Sequence, residues 1–80
     1  MLKRDEVAIP TSCLNKARDE EWIFILLARD PAAPAAIRAW VAERVRLGKN
    51  KITDAQVTSA LAAATRMERE AEARVGAEVA

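Results

Sequence analysis

The chain has 80 residues, 13 basic and 12 acidic side chains, one Cys, and neither His nor Tyr. That length holds one domain with a thin core. A lone Cys excludes an internal disulfide, the lack of His removes the usual zinc sets, and a net charge of +1 gives no global attraction to nucleic acid. A partner chain is the remaining route to stability.

Just over half of the residues are hydrophobic, 51%, but 18 are Ala, which favours helix and buries little area. With 31% charged residues and two Gly, the profile is that of a helical globular protein. The segment MLKRDEVAIP carries charges and no apolar centre, so it does not read as a signal peptide. The longest strongly apolar run, residues 22–28, is far short of the roughly 20 residues that cross a bilayer. The expectation is a cytoplasmic protein with Cys13 reduced.

In chain order, residues 1–11 show no helical period, and Pro10 holds Ile9 extended, which predicts a flexible arm. Thr11 or Ser12 then caps a short helix from Leu14 to Arg18. Residues 19–29 read DEEWIFILLAR. Six successive apolar side chains give no period. Asp19, Glu20 and Glu21 ahead of them and Arg29 behind favour helix, while Ile23, Phe24 and Ile25 favour strand. Helix is the preferred reading, with the segment buried on most sides.

Asp30 and Pro31 close that element, and a helix is predicted from Ala33, Pro34 or Ala35 to Leu47, stopped by Gly48. Ile37, Trp40, Val41 and Val45 form its inward stripe. Thr53 and Gln56 have the spacing of a capping box, with Ile52 and Val57 placed as a hydrophobic staple. Val57, Ala60, Leu61, Ala64, Met67, Ala71 and Val75 then repeat as a packing seam up to Gly76, followed by a frayed tail, 77–80. A helix of about 23 residues spans roughly 35 Å, long for so small a domain. Its second half, or residues 22–27, is therefore expected to meet a second copy.

The fold class is thus all-α: three to four helices, an extended N-terminal arm, a long C-terminal helix and a dimeric assembly. The expected apolar centre is Trp22, Phe24, Ile25, Leu26, Ile37, Trp40, Val41, Val57, Leu61 and Ala64.

Catalytic groups are scarce. Cys13 lies three residues before Lys16, which on one helix face lowers a thiol pKa, but no base and orienting group complete a nucleophilic site. No D-x-D-x-D-G loop occurs, and no Walker A sequence precedes Gly48 and Lys49. No cofactor, no metal and no enzymatic activity are expected. Cys13 is a candidate for an intermolecular disulfide.

Charge is unevenly spread. Residues 29–51 hold Arg29, Arg38, Arg44, Arg46, Lys49 and Lys51 against Asp30 and Glu43, leaving the middle four charges positive. Arg38, Arg44, Arg46, Lys49 and Lys51 are the candidate partner-binding residues. Direct DNA binding is disfavoured, because a recognition helix opening Thr53, Asp54 would set a carboxylate against phosphates. A module for signalling nucleotides near Trp40, Lys49 and Lys51, a DNA-binding accessory protein and a phage structural part remain alternatives.

Ser12, Cys13, Leu14, Asn15, Lys16 and Ala17, then Asp19, Glu20 and Glu21, Ile23, Phe24, Ile25 and Leu26, Arg29 and Asp30, and Ala39 and Trp40 follow a pattern over about half the chain. It resembles small phage- and prophage-borne proteins written S-C-L-N-K-A…D-E-P-[IV]-F-x-L…D…A-P…W, and is similar to type I-C anti-CRISPR proteins. Trp22 stands where the pattern has Pro. The resemblance implies a host-cytoplasmic inhibitor that binds a protein subunit of a bacterial type I CRISPR surveillance complex and blocks target DNA recognition or nuclease recruitment. DNA mimicry would need an acidic face. Asp19, Glu20, Glu21 and the Glu68, Glu70, Glu72 group are the only candidates, so the basic middle or a dimer surface is the better contact.

Overall fold

A computed structural model describes the backbone of residues 1–79 and the side chains of residues 1–75. Within them the chain is all helical, without strands: α1 (Lys3–Ala8), a single turn α2 (Cys13–Lys16), α3 (Ala33–Arg46) and α4 (Ala55–Val79). α1 packs on α2 and α3 on α4, and no other helix pair comes together among the described residues.

The predicted arm is in fact partly helical. Asp5 and Glu6 lie in the first turn of α1, where negative charge suits the exposed N–H groups. The helix ends at Ile9, which Pro10 holds extended. What stabilises so short a helix is not periodic in sequence. The Ser12 hydroxyl donates to the Glu6 carbonyl (2.5 Å), and Asn15 Nδ2 donates to the carbonyls of Val7 and Ile9, each at 2.9 Å. Ser12 also caps α2, accepting from the Asn15 N–H, as one of the two expected caps.

The helix expected over residues 19–29 does not form. The Glu21 N–H bonds the Arg18 carbonyl, and the Glu21 carboxylate accepts from the Arg18 N–H (3.1 Å), closing a turn instead of opening a helix. Residues 22–27 then run in no helix and no turn. Six residues rich in aromatic and β-branched side chains, with no polar face, are too short and too poor in helix formers to propagate one. Nor is the segment buried: Trp22 is 98% and Phe24 85% exposed, and only Leu26 is half-buried.

α3 forms as predicted. Asp30 Oδ1 accepts from the Ala32 N–H (2.8 Å), and Pro34 sits in the first turn, where it forfeits no helical bond. At its far end Gly48 has φ +72°. The Gly48 N–H bonds the Val45 carbonyl and the Lys49 N–H the Arg44 carbonyl, both 3.0 Å, which is the Schellman closure that a left-handed residue permits.

α4 starts one residue later than the Thr53 capping box would set it. Asn50 bridges to Asp54 (3.0 Å) and to Gln56 (3.2 Å), and the Asp54 carboxylate accepts from the Lys51 N–H (2.9 Å). Gln56 is thereby turned away from Thr53, and Ile52 stays exposed, so neither box nor staple forms. α4 also continues through Gly76, where its end was expected; of the predicted tail, Ala80 lies outside the described residues. Its 25 residues span about 37 Å, against about 21 Å for the 14 of α3.

The core is the α3–α4 seam. Ala33, Val41, Val57 and Ala64 are buried, with Ile37, Ala60, Leu61 and Met67 half-buried. Trp22, Phe24, Ile25 and Trp40, placed in the apolar centre by their hydrophobicity, are exposed. Alanine on both helices brings the axes close and leaves no hollow for rings of that size.

Candidate functional site

The five candidate partner-binding residues of the middle segment divide into two groups. Arg38 on α3 reaches across to α4, bonding the Glu68 carboxylate through Nε (3.1 Å) and Thr65 Oγ1 (3.4 Å). Arg46 pairs with Glu43 one turn earlier. The Arg46 guanidinium holds the Glu43 carboxyl below its ordinary range, and that carboxylate in turn raises Arg46. Both pairs are exposed and worth little to stability, but they cancel two of the positive charges.

Arg44, Lys49 and Lys51 lie at the α3–α4 connection. The Arg44 guanidinium stacks 5.6 Å from the Trp40 ring centroid, and its Nε donates to Asn50 Oδ1 (2.6 Å). Lys49 and Lys51 are exposed and make no ion pair among the described residues. The connection therefore carries two exposed lysines next to an arginine that is held by Asn50 and stacked on a 40% exposed indole. Its geometry hinges on Asn50, which periodicity does not single out. The signal was turn chemistry: Asn50 and Asp54 beside Gly48 are side chains that bond their own backbone.

Cys13 is a free, exposed thiol at the start of α2. Ser12 and Asn15, which carry part of the sequence pattern, are bonded inward and hold α1 against α2. Among the described residues no His, Cys, Asp or Glu group has the arrangement to hold a metal ion, and no helix is long and apolar enough to cross a membrane.

Two open grooves flank α4. One, about 480 Å³, lies between Pro31, Pro34 and Arg38 on one side and Met67, Glu68 and Ala71 on the other. The second, about 470 Å³, is formed by Met1 and Leu2 over Ala63, Arg66 and Met67. Neither includes Trp40, Lys49 or Lys51.

The largest unpartnered feature is residues 22–27. Ile23, Ile25 and Leu27 are each at least half exposed beside the bare Trp22 and Phe24. Their backbone N–H groups donate to no other backbone group among the described residues.

No protein-family model matches the chain, and neither a curated protein nor a solved structure is detectably similar to it.

Proposed function

We propose that the chain is a non-catalytic binding protein that inhibits a bacterial type I CRISPR surveillance complex by docking on one of its protein subunits. The observation that carries the binding part of this reading is the distribution of apolar surface. Four apolar side chains are buried, while fifteen large hydrophobic residues stand exposed among the described residues. A chain so built gains most by covering that surface with another macromolecule. The target class comes from the resemblance of Ser12 to Ala17 and the motifs that follow it to type I-C anti-CRISPR proteins.

The α3–α4 connection supplies the target contact. Among the described residues Lys49 and Lys51 make no ion pair, and Arg44 is pre-positioned by Trp40 and Asn50. These groups fit an acidic protein patch. Arg38 and Arg46, grouped with them on charge alone, keep their own carboxylates and serve the fold.

The test is a reconstituted type I interference reaction with the purified chain in molar excess. Loss of DNA targeting, with the chain recovered unchanged in the complex, supports the reading. Undiminished targeting overturns it. A nucleotide-binding role for the same connection is weaker, since the two grooves beside α4 do not include its residues.

A further inference from the structure

Residues 22–27 expose a row of free backbone donors beside side chains that suit a pleated surface. We propose that two copies of this chain pair through this segment, antiparallel, as a two-stranded ribbon that joins two helical subunits. The inference does not rest on the proposed target.

Charge selects both the occupant and the direction. Arg18, Asp19, Glu20 and Glu21 precede the segment, and Arg29 and Asp30 follow it. Parallel pairing of two copies sets acid beside acid and Arg29 beside Arg29. Antiparallel pairing sets the acidic end of each copy against Arg29 of the other. Two-fold symmetry requires one residue to face its own copy across the axis. With Ile25 on the axis, Glu21 faces Arg29 of the second copy, Ile23 faces Leu27 and Phe24 faces Leu26. With Phe24 on the axis, Trp22 faces Leu26 and Asp19 faces Arg29. The first register also sets Glu20 against Asp30, whereas the second sets Arg18 against Asp30 and so joins opposite charges at both positions of each end, which favours it.

The area at stake is of the right order. Trp22 and Phe24 are almost bare, and four such aromatic side chains in a pair carry about 600–1,000 Å². Ile23, Ile25 and Leu27 add to this, approaching the roughly 1,200 Å² of a stable interface. The α3–α4 core lies elsewhere, so the segment can be altered without unfolding the helices.

The test is sedimentation equilibrium of the full chain, wild type and Phe24→Lys, with helix content followed by circular dichroism. A wild-type dimer whose dissociation constant rises at least ~30-fold in the variant, at unchanged helicity, is the expected result. In parallel, single cysteines at positions 22, 24, 25 and 27 are placed in a Cys13→Ser background and oxidised. Residues facing across the axis lie about 4.5–5.5 Å apart at Cα, within disulfide reach, so Phe24→Cys or Ile25→Cys cross-links. Trp22→Cys and Leu27→Cys, well off the axis, do not. A monomer at about 1 mM overturns the proposal. So does a dimer indifferent to Phe24→Lys, which places the contact on the helices, or cross-linking without preference for the axis.

Discussion

The Ser12 hydroxyl donates to the Glu6 carbonyl, and the Glu6 carboxylate accepts from the N–H of Leu14, inside the turn that Ser12 caps, so Glu6 is tied to α2 at two points. Asn15 completes the clasp with its three carbonyl contacts. Ser12 is the one buried polar side chain among the described residues, and it is fully bonded.

Removing Ser12 or Asn15 should loosen α1 and α2 and leave the α3–α4 pair untouched. Ser12→Ala and Asn15→Ala each lose hydrogen bonds and leave helix-end carbonyls open, a local cost of about 1–2 kcal/mol. Amide hydrogen exchange reads this directly: the N–H groups of Glu6 and Ile9 should exchange faster while those of α3 and α4 keep their protection.

Val57 is the largest fully buried side chain. Val57→Ala removes two methyl-sized groups and leaves a hollow between α3 and α4, costing about 2–3 kcal/mol. Urea denaturation should show a lower midpoint with an unchanged slope.

The Glu43–Arg46 pair gives a pH signature. A carboxyl whose folded pKa is depressed contributes stability above its unfolded value of about 4.3, and that contribution disappears as pH falls through the lower folded value. Titration of the Glu43 side chain by NMR should give a midpoint below the ordinary glutamate value. Arg46→Gln should return it upward, and high salt should narrow the difference.

Target binding should divide the basic residues as the structure does. Lys49→Glu with Lys51→Glu should weaken association with the surveillance complex at least tenfold and leave the melting temperature unchanged. Arg46→Gln should leave affinity nearly intact. Equal affinity for the double reversal, measured by surface plasmon resonance, would remove the connection as the contact.

Cys13, exposed beside Lys16, should react with maleimide in the folded protein. On air oxidation it should give a covalent dimer on non-reducing gels that Cys13→Ser lacks. A monomer band in both lanes removes the disulfide.

The helical class and the α3–α4 pair were legible because their signals are local and repeated. The 3–4 spacing of Val57, Leu61 and Ala64, and the stop at Gly48, act within one helix. The misreadings share a cause. α1 depends on Ser12 and Asn15, several residues away, and no periodicity reports such bonds. The 22–27 segment looked like core because hydrophobicity states that a side chain gains from burial, not that the chain provides a place for it. For the candidate site, charge counting found the basic middle. It could not tell Arg38 and Arg46, which Glu68 and Glu43 neutralise, from Lys49 and Lys51.

The sequence on either side of residues 22–27 has a further consequence. A bare, β-prone hexapeptide is the kind of sequence that seeds fibres. Here three carboxylates stand at one boundary, and Arg29, Asp30 and Pro31 at the other. Such gatekeepers discourage endless stacking of strands. Neutralising Asp19, Glu20 and Glu21 together should make the chain precipitate as amyloid.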